Sequence, residues 1–188
     1  MLVAVVGGNL QGVEATYLAR KAGCEVVLID KNSNAPASGL CDYFVKGDVT
    51  ETGSHSDILQ QADIILPALE NLIALRTLQR KSRETGTPLA FDSHAYTVTS
   101  SKLQSNLLFS RLDIATPEPY PECKFPVIVK PDASSGSRGV HIFEEISVLN
   151  DFISQTKNMN SWVIQKFVPG PSYSLEVIGS PGNYIALT

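Results

Sequence analysis

PVIVKPDASSGSRGV, residues 126–140, is an apolar strand that ends in Lys130-Pro131 and opens into Ser134-Ser135-Gly136-Ser137-Arg138-Gly139. That order puts an ammonium group beside a loop rich in free backbone N–H groups, a place to hold phosphate. No Gly-Lys-Ser/Thr follows the glycines and the lysine precedes them on a strand, so this is not a Walker A loop. Taken alone, small residues in a row describe a surface turn, and Lys130 a solvated strand end. A second segment, SWVIQKFVPG at residues 161–170, shifts the balance. An apolar strand stopped by Pro-Gly can offer a purine ring backbone C=O and N–H groups next to apolar walls. Both halves of a nucleotide then have a seat between strands.

With Ser101-Lys102 opening a helix and Leu112-Asp113-Ile114-Ala115-Thr116-Pro117 after it, these pieces resemble, in order and spacing, the ATP-grasp superfamily. The resemblance covers nearly the whole chain. It implies two small α+β subdomains closing on ATP and an acyl phosphate made from a carboxylate. It places Lys102 and Lys130 toward the α- and β-phosphates and Ser135, Gly136 and Ser137 in the phosphate loop. The adenine seat falls at Gln165, Lys166, Phe167 and Val168, with the Lys166 C=O facing the adenine amino group and the Val168 N–H a ring nitrogen. Many relatives carry a ribose-binding acid where this chain has Ser172, so that contact is a weaker hydroxyl bond or is made elsewhere. The superfamily's magnesium-holding acids and Arg/Asn catalytic cluster are expected beyond Thr188. No catalytic or metal residue is assigned within the chain, which is expected to be truncated before the rest of the fold and inactive alone.

A closer resemblance is carried by Val6-Gly7-Gly8-Asn9-Leu10-Gln11-Gly12-Val13-Glu14-Ala15, Val27-Leu28-Ile29-Asp30-Lys31-Asn32, Leu66-Pro67-Ala68-Leu69-Glu70-Asn71-Leu72, Phe91-Asp92-Ser93-His94-Ala95-Tyr96 and Ser174-Leu175-Glu176-Val177. These are similar to the PylC family of pyrrolysine-biosynthesis ligases, which joins 3-methylornithine to the side-chain amine of lysine. The implied cosubstrate and metal are ATP and Mg²⁺. The implied partners are an ornithine-like carboxylate donor and lysine as the amine. Another ATP-grasp ligase of the purine, carbamoyl-phosphate or amino-acid type is the alternative, as is a nucleotide-binding Rossmann-type module without ligase activity.

Candidate substrate residues follow. Glu70 and Asn71 come just after a strand, and carboxyl ends of strands in open α/β sheets face the ligand crevice. Glu70 could bind an α-amino group and Asn71 a carboxylate, or Asn71 could simply cap the next helix. Ser174 and Glu176 lie two residues apart on a strand, hence on one face, either toward a substrate ammonium or toward solvent. Leu10 and Gln11 sit in a glycine turn that either approaches the amino acid or is scaffolding. That turn also invites a dinucleotide reading, since Asp30 ends the next strand where it would meet a ribose. However, Asn9 stands where the fingerprint needs its second glycine, and its side chain would hinder a pyrophosphate.

The chain has 188 residues, 43% hydrophobic and 18% charged, enough to bury a sizeable core. A formal charge of −4 without a Lys/Arg cluster argues against nucleic acid. Cys24, Cys41 and Cys123 are odd in number, far apart and without metal-ligand spacing, suiting thiols in a reducing cytoplasm. His55, His94 and His141 have no base or nucleophile partner in sequence. No apolar run reaches the roughly 20 residues of a membrane span. A cytoplasmic enzyme is expected, with a homodimer left open.

Strand and helix patterns alternate over the first hundred residues: strands at 2–6, 25–29, 43–45, 64–66 and 89–91, helices at 11–22, 56–61 and 72–85. This predicts a doubly wound parallel sheet. After a helix near 100–110 and a proline-stiffened connector come strands at 127–129, 140–143, 162–165, 173–179 and 184–187, with a helix at 147–156. The expected domains are a Rossmann-like pre-ATP-grasp substrate domain at 1–97 and, from 98 to 188, the α+β ATP-grasp small subdomain with the start of an incomplete C-terminal subdomain.

Overall fold

The computed structural model describes residues 1–51, 55–134, 136–173, 175–180 and 182–187. The chain forms two compact units, Met1–Asp92 and Ser93–Thr188.

The first unit is an α/β layer structure. Its parallel sheet contains β1 (Leu2–Val6), β2 (Glu25–Asp30), β3 (Tyr43–Lys46) and β4 (Ile64–Pro67) in the order β3-β2-β1-β4. The central strands read as continuous apolar runs because both faces are covered. Alternate residues divide between two cores. Ala4, Val6, Val27 and Ile29 pack with Leu59 of α2 (Ser56–Gln61) and with Ala74 and Leu78 of α3 (Leu72–Thr85). Val3, Val5, Val26 and Leu28 pack with Val13, Ala15 and Ala19 of α1 (Leu10–Lys21) and with Ala37 of the 3-10 turn Pro36–Gly39. Both ends of α3 are defined by chemistry: Asn71 Oδ1 accepts the Ala74 N–H at 2.9 Å, and Gly86 closes the helix with φ 76°. The expected strand at 89–91 is reduced to a single parallel bridge between Leu89 and Ile65. Two backbone bonds, Ile65 N to Pro88 O and Ala90 N to Ile65 O, hold it before the chain turns polar.

In the second unit, β5 (Val127–Pro131) lies between β6 (His141–Phe143) and β7 (Trp162–Lys166), antiparallel to both. Val127, Val129 and Leu149 of α6 (Ile146–Gln155) are fully buried in one cluster with Phe143, Phe152, Trp162 and Ile164. Two helices precede the sheet, α4 (Ser93–Thr99) and α5 (Lys102–Arg111). Helix α4 has no counterpart in the sequence pattern: its Thr97, Val98 and Thr99 are β-branched, which weakens a helical signature. A separate antiparallel pair, β8 (Glu176–Ser180) and β9 (Asn183–Leu187), closes the described chain. Its first strand begins three residues later than the pattern 173–179 suggests, after the positive-φ Gly170 and Pro171.

Candidate functional site

Strand alternation decides where Lys130 goes. Val127 and Val129 turn inward beneath α6, so Ile128 and Lys130 occupy the opposite face. Cross-strand partners share a face: Lys130 is in register with Val163 and Ile128 with Gln165. Helix α5 covers this face, since Asn106 Nδ2 donates to Gln165 Oε1 at 3.5 Å, at the outer limit of a hydrogen bond. Lys130 and Gln165, both proposed nucleotide contacts, therefore lie on the side of the sheet that carries Lys102. Partial burial pushes the Lys130 ammonium below its ordinary pKa, and the nearby Lys102 charge pushes the same way. Among the described residues neither lysine is held in an ion pair.

Lys102 is the first residue of α5, capped by the Ser101 Oγ, which accepts the Gln104 N–H at 3.1 Å. A cation in the first turn opposes the helix dipole. It is held there by the loop: Lys102 Nζ donates to Asp132 O at 3.1 Å, Ser134 O at 2.9 Å and Ser134 Oγ at 3.4 Å. Beyond Ser134, Gly136 and Ser137 take left-handed φ values of 62° and 57° and are exposed. Gly139, at φ 72°, passes so close to Pro131 that an added Cβ would lie 3.0 Å from its Cγ. Gly139 is thus folded back onto the end of β5, and Ser134 lies against the Lys102 ammonium. Two neighbouring cations without a carboxylate partner among the described residues, beside a turn of small residues, suit a polyphosphate.

The proposed adenine seat follows β7. Lys166 N–H donates to Glu118 O at 2.8 Å and Phe167 N–H to Pro126 O at 2.9 Å. Val168 is 61% exposed and its N–H has no acceptor among the described residues, leaving it open to a ring nitrogen. Ser172 is exposed. Ser135 and Ser174 lie outside the described residues, as does the side chain of Glu176. Among the described residues no group of three or more His, Cys, Asp or Glu could hold a metal ion.

In the first unit the chain runs outward from β1 to β2 and β3 and then crosses to β4 on the other side, so the strand order reverses between β1 and β4. Ligands of open α/β sheets bind outside the carboxyl ends of strands at such a switch point. Leu10 and Gln11 open α1 after β1, and Glu70 and Asn71 follow β4. Gln11 Nε2 donates to Glu70 Oε1 at 3.3 Å across the gap, while Leu10 stands 74% exposed. Asn71 spends its Oδ1 on the helix cap. The glycine turn itself is sealed by protein groups. Gly7 N–H donates to Ile29 O, Gly8 N–H to Asp30 Oδ2 at 2.6 Å, and Asn32 N–H to Asp30 Oδ1 at 2.7 Å. Asp30 is thereby committed to the turn rather than open to a ribose, which counts against a dinucleotide.

Residues 3–90 match the family model described as the PylC-like N-terminal domain, and residues 99–188 that of an ATP-grasp domain. The chain belongs to the ATP-grasp superfamily. It is 33% identical over 183 residues to a 3-methyl-D-ornithine--L-lysine ligase of Methanosarcina barkeri, covering 97% of this chain and 48% of that protein. It is 22% identical to a carbamoyl-phosphate synthase of Methanobrevibacter smithii, covering 100% and 54%. Among solved structures, the ADP complex of an N5-carboxyaminoimidazole ribonucleotide synthetase superposes with TM-score 0.75 at 16% identity, over 98% of this chain and 52% of that one. The synthetase of the same name from Thermus thermophilus superposes with TM-score 0.72 at 18% identity, over 98% and 52%. At such identities the likeness is one of fold. This ATP-grasp chain spans about half the length of the curated relatives it matches.

Proposed function

We propose that the chain is the nucleotide- and amino-acid-binding part of an ATP-dependent carboxylate-amine ligase, joining 3-methyl-D-ornithine to the side-chain amine of L-lysine. The observation that carries the nucleotide reading is the pairing of Lys102 and Lys130 on one face, without a carboxylate partner among the described residues. When bound, ATP supplies a phosphoryl group to the carboxylate oxygen as ADP leaves, and the amine nitrogen then displaces phosphate, losing a proton, to leave an amide.

The chain's own contribution is placement and charge. Lys130 and Lys102 offset the charge of the phosphates and stabilise the negative charge that moves to the leaving group. The Lys166 C=O and Val168 N–H recognise the adenine edge, and Gln165 and Phe167 wall it. Gly136 and Ser137 let the backbone approach the phosphates, with Ser172 near the ribose. Glu70, already oriented by Gln11, receives a substrate ammonium, and Leu10 bounds its apolar stem. Mg²⁺, when bound, would supply further charge neutralisation at the phosphates, with no ligand assigned among the described residues. Acyl-phosphate chemistry of this kind needs alignment and charge neutralisation rather than a covalent nucleophile.

The similarity to 3-methyl-D-ornithine--L-lysine ligases supports the choice of substrates. The test is ADP release by the protein at its full encoded length with a panel of amino-acid pairs. Dependence on both an ornithine and lysine is expected, with the amide seen by mass. Gln11→Ala should then raise the KM for the ornithine-like substrate and leave the KM for ATP nearly unchanged. ADP release indifferent to every amino acid, or dependent on a purine intermediate, would assign a different ligase.

A further inference from the structure

Asp132 directly follows the Lys130-Pro131 pair, yet its carboxylate forms no ion pair with either lysine among the described residues. Instead Oδ1 accepts the Leu103 N–H at 2.8 Å, and both carboxylate oxygens lie 2.9 Å from the Ser101 Oγ. These partners are 29 and 31 positions away in sequence, in the first turn of α5 and its cap. The main chain of Asp132 is equally engaged. Its N–H donates to Ser161 O at 2.8 Å, and its C=O accepts from Lys102 Nζ at 3.1 Å and Lys102 N at 3.3 Å. One residue thus joins the end of β5, the start of α5 and the turn that leads into β7.

The arrangement resolves two electrostatic conflicts. A carboxylate at a helix N-terminus is favourable and offsets the repulsion of a lysine placed there. Paired with Lys102 or Lys130, the same carboxylate would cancel the charge a polyphosphate needs. Directed at the helix end, it fixes Lys102 while leaving both ammonium groups unneutralised. We propose that Asp132 is the positioning residue of this phosphate site: it sets the N-terminus of α5 against the end of β5 so that Lys102 and Lys130 meet one polyphosphate together. The proposal rests on the ATP reading above.

Calorimetric titration of MgATP into this chain separates positioning from mere capping. Asp132→Ala should weaken binding about tenfold, the equivalent of losing one well-placed contact. Asp132→Asn, whose amide oxygen still accepts the Leu103 N–H, should stay within about threefold of wild type. Lys102→Met should weaken binding in the wild-type background and add nothing in the Asp132→Ala background, because Lys102 is no longer aimed. Thermal melts report whether the variants fold. Should Asp132→Ala not fold, Ser101→Ala replaces it, with a smaller loss and a diminished effect of Lys102→Met. Affinity unchanged or improved in Asp132→Ala, or a full Lys102→Met effect in both backgrounds, would reduce Asp132 to a helix cap. No ATP binding by the wild type would instead overturn the ATP reading, and this proposal with it.

Discussion

Lys130 shows how one residue is placed by sequence and tuned by structure. Its position at the end of a VIVKP strand is legible because period-two alternation sends Val127 and Val129 inward and Lys130 outward. Its environment is not legible, because its partial burial is a tertiary effect and the Lys102 charge comes from the start of α5, far upstream in sequence. Lys130→Met should weaken ATP binding by about 1–3 kcal/mol, the range for losing a charge-assisted hydrogen bond. Its pH dependence follows from sign. The folded-state pKa is depressed, so between that value and the unfolded one the native protein binds fewer protons and this group's contribution to stability grows with pH. Below the folded pKa the lysine is charged in both states and its burial penalty is felt in full. ATP favours the charged form, so binding should take up a proton on the alkaline side and weaken as pH rises through the free-state pKa. Calorimetry at alkaline pH in buffers of different ionisation enthalpy should show that uptake, and Lys130→Met should abolish it. Asp132 illustrates the opposite case: an acid after a proline reads as an ordinary turn residue, and its role depends on partners the sequence does not place beside it.

At the scale of elements, helices with caps were the most readable. Asn71 and Gly86 bracket α3 by local chemistry alone, which explains why that helix could be predicted to its ends. Lys81 on the same helix is 1% exposed and donates to Ser56 Oγ at 3.3 Å, a burial that a polar position in an amphipathic pattern gives no sign of. Helix α4 escapes the pattern for want of helix-favouring residues, and the strand near Leu89 shrinks to a bridge because the chain turns polar directly after Phe91. The turn from β1 to α1 is the element where geometry is tightest. A Cβ on Gly12 would lie near Gly7 O, which is backbone and cannot swing aside. Gly12→Ala should therefore destabilise the first unit by about 1–3 kcal/mol, the usual cost of overpacking. Urea unfolding checks this, and an unchanged midpoint would mean that the helix start relaxes freely.

For the whole molecule, the alternation of strand and helix made the parallel sheet predictable, and the ATP-grasp family model agrees with the second half. The strand order was not readable, and it matters, because the reversal between β1 and β4 brings Gln11 and Glu70 together although they are 59 positions apart. That crest and the lysine face belong to separate compact units. The account predicts that they can be altered independently: Gln11→Ala should affect the amino acid and Lys130→Met the nucleotide. The central claim is that Lys102 and Lys130 form a nucleotide phosphate site. It is tested most directly by calorimetric titration of MgATP into this chain and its Lys130→Met variant, with NAD as a control. Saturable binding of one nucleotide, clearly weakened in the variant and absent for NAD, is the predicted result. Equal ATP affinity in a folded Lys130→Met variant, or tight binding of NAD that is lost in Asp30→Ala, would contradict it.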